Sequence, residues 1–218
     1  MKKEFWIEKW HNKQTGFHKD SVHPLLINYI KETGIKSGDT VFVPLCGKSL
    51  DMLWLNNQGY KVIGNELSQF AVEQFFAENN LNYDKHNMGD FVVYTHDNIT
   101  IFQDDFFELL PEHTADVKAV YDRAAFIALP DGMVQRYVKH MTKIIPTDAK
   151  HLLITLEFVK STGSIGPPFN SPDSKVKDLY GQYSSIHLLQ EDDIISKEQK
   201  FKQQGCNYVY ERVYLIQK

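Results

Sequence analysis

The residues with the clearest chemical potential are a glycine and a carboxylate that each follow an apolar run. Residues 41–45 lead into Gly47, and a second run over 61–65 leads into Glu66. This layout is typical of the first half of a nucleotide-binding α/β domain. There, the turn lets the backbone approach a ligand, and the acid accepts hydrogen bonds from ribose hydroxyls. The pattern therefore predicts an adenosine-type ligand.

Ligands that contain phosphate fit this turn less well. Gly47-Lys48-Ser49 resembles the end of a phosphate-binding loop, but that loop requires a glycine where Phe42 stands. A dinucleotide site uses several glycines in the turn, whereas only Gly47 is present. A nicotinamide or flavin enzyme is therefore the weaker alternative. A cofactor with ribose and adenine but no phosphate, such as S-adenosylmethionine, fits better, and the later acidic turn at 103–106, with Asp105, would lie beside the adenine.

Alternating strand and helix patterns supply the elements that must position these residues. Strands are predicted at 40–45, 61–65, 91–94, 99–103, 117–121, 151–158, 185–189 and 208–216, and helices at 24–30, 49–57, 68–79, 126–143, 176–180 and 192–204. Such alternation favours a doubly wound, mostly parallel sheet with helices on both faces, here with an antiparallel edge strand near the end of the chain. Because no repeat or linker interrupts the pattern, we expect one domain over residues 1–218.

Composition excludes several classes of function. The chain has 218 residues, of which 42% are hydrophobic, so it can bury a sizeable core. A net charge of −4 gives no general attraction to nucleic acid or to an anionic membrane. The first residues lack the apolar segment of a signal peptide, and no apolar run is long enough to span a bilayer. Two cysteines indicate a reducing compartment, so we expect a cytoplasmic protein.

Several segments together carry a specific resemblance. They are Trp6 and Trp10 followed by the sequence GFH, then VFVPLCGKSLDM, VIGNELS with AVEQFF, DRAAFIALP, GPPF and YERVYLI, in that order over almost the whole chain. The chain resembles a thiopurine S-methyltransferase of the bacterial type. The resemblance implies a seven-stranded class I methyltransferase fold with an N-terminal extension, residues 1–35, that covers the cofactor.

The resemblance also implies the site residues. Trp10, Leu45, Glu66 and Arg123 would surround S-adenosylmethionine, with Glu66 on the ribose and Trp10 packed over the cofactor. Gly47 of the turn and Asp105 complete the predicted cofactor contacts. The acceptor pocket would be walled by four further residues, Phe17, Pro167, Pro168 and Phe169. Asn65 and Phe126 depart from the family pattern.

The implied reaction moves a methyl group to the sulfur of an aromatic or heterocyclic thiol, such as a thiopurine, and leaves S-adenosylhomocysteine. An in-line displacement needs alignment, which supplies on the order of 7–11 kcal/mol of such a barrier. Arg123 is therefore given an orienting and electrostatic role, because a guanidinium favours a thiolate, and no base is obligatory. An alternative is a methyltransferase of the same fold that acts mainly on selenium, tellurium or other small nucleophiles. A third hypothesis is a non-catalytic binding module.

Each of these residues also has a purely structural interpretation. Trp10 can be a core anchor, Glu66 a solvated strand-end carboxylate, and Arg123 the partner of Asp122 in a local ion pair. Cys46 lacks a fixed histidine partner and is a poor candidate nucleophile. Histidines without ligand spacing predict no metal site. We expect a monomer whose partner is a small-molecule acceptor.

Overall fold

Nine strands form one sheet in the computed structural model, which describes residues 2–163 and 166–218. Ser164 and Ile165, within the predicted loop over 160–173, lie outside the described residues, as does Met1. The strands are β1 (Thr40–Val43), β2 (Lys61–Glu66), β3 (Asp84–Met88), β4 (Phe91–His96), β5 (Ile99–Gln103), β6 (Val117–Arg123), β7 (Lys150–Phe158), β8 (Ser185–Asp193) and β9 (Val209–Gln217). The helices are α1 (Lys3–His11), α2 (Pro24–Tyr29), α3 (Leu50–Asn57), α4 (Gln69–Glu78), α5 (Asp131–Ile144), α6 (Asp173–Leu179) and α7 (Gln199–Gln203).

The strand order is β3-β4-β5-β2-β1-β6-β7-β9-β8. The five strands from β5 to β7 pair in parallel, whereas β3, β4, β8 and β9 each enter antiparallel pairs. The predicted doubly wound, mostly parallel sheet is therefore confirmed. Because β1 is bordered by β2 on one side and by β6 on the other, the chain changes winding direction at this strand. The carboxyl ends of β1 and β6 thus flank the crevice where such folds bind ligands.

Two details differ from the sequence prediction. The sheet has nine strands, whereas the resemblance implies seven and the strand pattern predicts eight; the strand absent from the pattern is β3, which pairs with β4. All residues of β3 are exposed, so this strand has no apolar pattern from which it could be predicted. The last strand is antiparallel as expected, but it lies one place inside the edge, since β8 pairs along its outer side.

Serine caps begin two helices directly behind the chemically important turns. Ser49 Oγ accepts a hydrogen bond from the Asp51 backbone N–H at 3.2 Å, and α3 starts there. Ser68 Oγ likewise accepts from the Ala71 N–H at 3.3 Å and starts α4. Both caps match the sequence prediction, and both satisfy N–H groups that a helix start leaves unpaired. The helices therefore begin immediately after the loops that follow β1 and β2.

Both faces of the sheet are covered. One buried cluster joins α2, α3 and α4 to the sheet through residues such as Leu26, Met52 and Phe75. The other places α5 and α6 on the opposite face, through residues such as Tyr137 and Val176. All four residues of β1 are buried, which explains why the strand is a continuous apolar run. The central strands are thus held rigidly, and their carboxyl ends form a fixed platform.

Candidate functional site

The candidate site is built at the carboxyl edge of the parallel strands. Gly47 lies in the turn after β1, Glu66 ends β2, Asp105 follows β5, and Arg123 ends β6. Because parallel strands end at the same edge, the fold brings these four predicted residues to one side of the sheet. Trp10 and Phe17 reach that edge from the N-terminal extension.

Glu66 is a buried carboxylate that ties the first two turns together. One carboxylate oxygen accepts from the Gly47 N–H at 2.9 Å, and the other accepts from the Ser68 N–H at 2.8 Å. The residue is only 5% exposed, so the interpretation as a solvated carboxylate is wrong. Burial raises the pKa of Glu66 to about 7, against the lowering effect of these backbone hydrogen bonds. A carboxylate has about four acceptor sites, so two donors leave capacity for further hydroxyl groups.

The turn after β1 has an unusual backbone and lies directly beneath an aromatic ring. Leu45 has φ +46° and Gly47 has φ +54°, both in the left-handed region. A Cβ atom added to Gly47 would lie 2.8 Å from Trp10 Cζ2, so the indole ring packs against the glycine itself. Trp10 is 3% exposed, so it is anchored in the core and also packed against the turn.

The N-terminal extension closes over this turn through a row of rings. Phe17 packs edge-on against Trp10, with ring centroids 5.3 Å apart, and against Trp6 at 5.7 Å. Edge-to-face pairs at this separation are favourable beyond the area that they bury. The structure therefore links Glu66, Gly47, Trp10 and Phe17 into one chain of contacts.

Asp105 has two roles in the structure. Its side chain accepts from the Phe107 N–H at 3.0 Å and begins a short 3-10 turn. Its other oxygen lies 3.0 Å from Lys3 Nζ of α1, and Asp104 contributes a second contact to the same lysine at 3.6 Å. The acidic turn that was predicted beside the adenine therefore also contacts the extension.

Arg123 is presented by a tightly held turn. The alternative in which it pairs with Asp122 is wrong, because no ion pair or hydrogen bond joins these two described side chains, and the Asp122 oxygens accept from other donors. The Phe126 N–H donates to Oδ1 at 3.0 Å, and the Tyr137 hydroxyl of α5 donates to Oδ2 at 2.7 Å. Burial raises the pKa of Asp122 to about 6. Among the residues that the structure describes, the Arg123 guanidinium has no hydrogen bond or ion pair, so its charge is available.

The GPPF segment, residues 166–169, lies against the loop that follows β6. Pro167, Pro168 and Phe169 are half-buried, and the Phe169 N–H donates to the Ile127 carbonyl at 2.7 Å. This bond fixes the segment to the loop that follows β6. Within residues 2–163 and 166–218, no ring contact joins Phe169 to Phe17.

Sequence reasoning missed several residues near the site. His18 was noticed only as part of a motif, and nothing in the sequence predicts its surroundings. Tyr137 carries no signal beyond its place on the apolar side of α5. Asn65, which departs from the family pattern, donates to the carbonyls of Phe102 and Asp104 and so joins the end of β2 to the loop after β5.

The structure also bears on the disfavoured alternatives. Lys48 Nζ binds both carboxylate oxygens of Glu78, at 2.6 and 2.7 Å, rather than facing a phosphate loop. Burial raises the pKa of Cys46 well above that of a free thiol, which disfavours a thiolate nucleophile.

Over the described residues, no group of three or more His, Cys, Asp or Glu side chains can hold a metal ion. None of the helices described is long and apolar enough to cross a membrane.

Known proteins match both the fold and the sequence. The fold resembles that of the 1,6-didemethyltoxoflavin-N1-methyltransferase of Burkholderia thailandensis, solved with S-adenosylhomocysteine, with a TM-score of 0.62 and 11% identity over 99% of this chain and 87% of that one. The sequence matches the thiopurine S-methyltransferase family over residues 1–218. The thiopurine S-methyltransferase of Pseudomonas aeruginosa strain UCBPP-PA14 is 39% identical over the full length of both chains. That of Pseudomonas fluorescens strain ATCC BAA-477 is 42% identical over 100% of this chain and 98% of its own length.

The fold is that of the class I methyltransferases. Within that class, the chain belongs to the thiopurine S-methyltransferase family. The family predicted from the sequence motifs is therefore confirmed, and with it the enzyme class.

Proposed function

We propose that this protein transfers the methyl group of S-adenosylmethionine to the sulfur of an aromatic or heterocyclic thiol, thiopurines among them. The observation that carries the proposal is the buried Glu66, tied to Gly47 beneath Trp10, in a chain that matches the family from end to end. When bound, the cofactor supplies an electrophilic methyl group on a sulfonium.

The residues at the carboxyl edge fit that cofactor. Glu66 has acceptor capacity left for ribose hydroxyls. The turn at Leu45 and Gly47 lets the backbone approach a ligand, but it lacks the glycines of a phosphate-binding loop. Trp10 lies directly over this turn, where an electron-rich ring stabilises a nearby cation. Asp105 stands on the adenine side and Arg123 at the methionine end. Residues 1–35 are proposed to act as the cover of this site within one domain spanning 1–218.

The acceptor side is proposed to lie between Phe17 and the segment of Pro167, Pro168 and Phe169. Arg123 lies at the mouth of this region with an uncompensated positive charge. An opposite charge nearby lowers the pKa of a thiol and so enriches the nucleophilic thiolate. The chain itself thus supplies orientation, exclusion of water and charge, and the displacement needs no metal.

The test combines binding and turnover. Calorimetry with S-adenosylhomocysteine measures cofactor binding, and labelled S-adenosylmethionine measures turnover of thiophenols, a thiopurine and a selenol at equal concentration. We expect thiols to have the higher kcat/KM. A clear preference for the selenol would transfer the proposal to selenium acceptors, and a folded protein that binds no cofactor would overturn it.

We also propose that the protein works in the cytoplasm as a monomer, on small molecules rather than on nucleic acid or membranes, and that it serves detoxification. The support is the net charge of −4 and the two buried, unpaired cysteines, Cys46 and Cys206, which suit a reducing compartment. Light scattering of the purified protein tests the monomer, and a dimer mass would contradict it.

A further inference from the structure

Asn65 lies where the two loops that carry predicted cofactor contacts leave the sheet. It is the last residue but one of β2, directly before Glu66. In the parallel pair of β2 and β5 it stands opposite Phe102, and Asp105 follows two residues after β5 ends. Both loops therefore begin at the same edge, next to the Asn65 side chain.

The amide of Asn65 joins these two parts of the chain through its donor atom. Nδ2 donates to the Phe102 carbonyl and to the Asp104 carbonyl, each at 3.0 Å. Both hydrogens of the amide are thus used, one on β5 and one on the residue just beyond it. The backbone adds a further link, because the Asp104 N–H donates to the Glu66 carbonyl at 3.1 Å.

Gln103, the last residue of β5, makes the reciprocal link. Its Nε2 donates to the Leu67 carbonyl at 3.0 Å, in the loop that follows β2. We call the side chains of Asn65 and Gln103 the amide clamp. The clamp holds Glu66, which ends β2, in a fixed position relative to the acidic turn that contains Asp105.

Asn65 contributes little net stability by making these links. The residue is fully buried, and its Oδ1 accepts no hydrogen bond from the residues that the structure describes. Leaving a buried oxygen unpaired costs about as much as one or two hydrogen bonds contribute. An apolar residue at this position would avoid that cost but would donate nothing to either carbonyl. What the asparagine adds is therefore the geometry of the two loops.

We propose that Asn65 is a positioning residue that gives the site its selectivity for adenine. This inference rests on the proposed function, in which Glu66 binds the ribose and Asp105 lies beside the base. The exocyclic amino group of adenine donates to a carboxylate, whereas hypoxanthine presents a carbonyl oxygen at the same place. A site built around such a donor rejects the analogue that lacks it, provided that the acceptor is held in place.

The test compares the binding of S-adenosylhomocysteine with that of S-inosylhomocysteine, which carries hypoxanthine instead of adenine. Calorimetry gives the ratio of the two Kd values for the wild-type protein and for Asn65→Leu, in which the side chain keeps its size but loses its donor. We expect the wild-type protein to bind the adenine ligand at least about tenfold more tightly, and the ratio to fall to about threefold or less in the variant. A purely structural role would weaken both ligands equally and leave the ratio unchanged.

A second variant and a control accompany this comparison. Gln103→Leu breaks the other half of the clamp and should also lower the ratio, so the test stands even if Asn65→Leu does not fold. Asn79→Leu is the matched control, because the Asn79 amide donates to the Phe75 carbonyl at 2.7 Å at the far end of α4. Its ratio should equal that of the wild-type protein.

The outcomes separate this role from the proposed function. An unchanged ratio in the folded clamp variants would overturn the role of Asn65 while leaving methyl transfer intact. Equal binding of the two ligands by the wild-type protein would overturn it as well, because no selectivity would then exist. A folded wild-type protein that binds neither ligand would remove the proposed function, and this inference with it.

Discussion

At the scale of single residues, the central feature is the cost of burying Glu66. Its pKa of about 7, compared with 4.5 for an ordinary glutamate, means that the folded protein holds a proton there that the unfolded chain releases. The folding free energy contributed by this group therefore becomes less favourable as the pH rises from about 4.5 to 7. The shift corresponds to about 3 kcal/mol. A carboxylate this costly to bury suits a functional role, and the ribose contact that we propose for Glu66 is one.

Replacing this carboxylate should separate stability from binding. Glu66→Gln removes the charge but leaves the Gly47 or the Ser68 N–H without its acceptor, so the variant loses stability at pH 5, and its melting temperature relative to the wild type should rise between pH 5 and pH 8. Cofactor affinity should fall by at least about tenfold, because an amide oxygen is a weaker acceptor than a carboxylate. Thermal unfolding and calorimetry measure the two effects. A difference in melting temperature between variant and wild type that does not change between pH 5 and pH 8 would contradict the raised pKa of Glu66.

The wild-type protein should also show a pH dependence of cofactor binding. Protonation of Glu66 turns an acceptor into a donor, so affinity should decline as the pH falls through about 7. Titration of S-adenosylhomocysteine between pH 5.5 and 8.5 checks this, since this product ligand has lost the sulfonium charge. The dependence should be absent in Glu66→Gln, and its persistence there would assign the effect to another group.

At the scale of elements, the two turns that carry the site are held by different means. The turn after β1 relies on close packing, because the indole of Trp10 fills the space beside Gly47. The turn after β6 relies on hydrogen bonds, because Asp122 holds the Phe126 N–H while Ala124 adopts φ +68°. A non-glycine residue in the left-handed region is strained by about 1–3 kcal/mol, and this backbone conformation persists only where the surrounding structure fixes it.

Gly47→Ala should disrupt the first turn. The new Cβ would meet Trp10 at 2.8 Å, and alanine disfavours φ +54°, so the ring must shift. We expect lower stability, by about 1–3 kcal/mol, and weaker cofactor binding. Gly132→Ala is the control, because Gly132 has open space around it in the first turn of α5. Equal behaviour of the two variants in calorimetry would show that the contact with Trp10 is unimportant.

Tyr137→Phe should disrupt the second turn. It leaves Asp122 with a buried, unpaired oxygen, at a cost of about 1–3 kcal/mol, and loosens the segment that presents Arg123. We expect kcat to fall by about tenfold while cofactor affinity changes less. Tyr183→Phe is the matched control, since its hydroxyl bonds Thr142 at 2.9 Å away from this turn. If both variants lose stability and neither loses kcat, Tyr137 has only a structural role.

The sequence predicts these elements better than it predicts their contacts. The caps at Ser49 and Ser68 join residues two or three positions apart in the chain, so the starts of α3 and α4 can be predicted from the sequence. The pair of Asp122 with Tyr137 joins β6 to α5, and no local pattern encodes it. The same limit explains why Asp122 was considered as a partner of Arg123, its neighbour in the chain, although its actual partners come from across the fold.

At the scale of the whole molecule, the N-terminal extension is attached mainly by apolar packing. Trp10 is almost fully buried and its ring meets Phe17, whereas the ion pairs of Lys3 lie at the surface, where such pairs contribute about 0–1 kcal/mol. Burying an aromatic side chain of this size is worth about 3–5 kcal/mol by comparison. The aromatic contacts therefore determine how firmly the cover is held.

This comparison predicts the response to mutation and salt. Lys3→Ala should change the Kd for S-adenosylhomocysteine by less than about fivefold, since its pairs are exposed and screened. Trp10→Ala should weaken binding far more, and wild-type affinity should vary little between low and high salt. Calorimetry at two salt concentrations measures the affinities of both variants and the salt dependence of the wild-type protein. A strong salt dependence that Lys3→Ala abolishes would mean that the ion pairs hold the cover instead.

The overall architecture could be predicted because buried parallel strands tend to be continuous apolar runs, as in β1. The strand β3 could not be predicted, since all five of its residues are exposed and all but Met88 are polar or charged. Its formation depends on pairing with β4 and not on burial. The placement of β9 inside β8 depends likewise on long-range pairing, which the alternation of residues along β9 does not specify.

The most direct test of the account asks which atom receives the methyl group. A thiopurine offers both an exocyclic sulfur and ring nitrogens, and S-adenosylmethionine labelled with ¹³C in the methyl group lets NMR distinguish the two products. The account predicts that the label appears as an S-methyl group, with the yield falling sharply in Glu66→Gln. A label found on nitrogen, or no transfer by a protein that binds the cofactor, would contradict it.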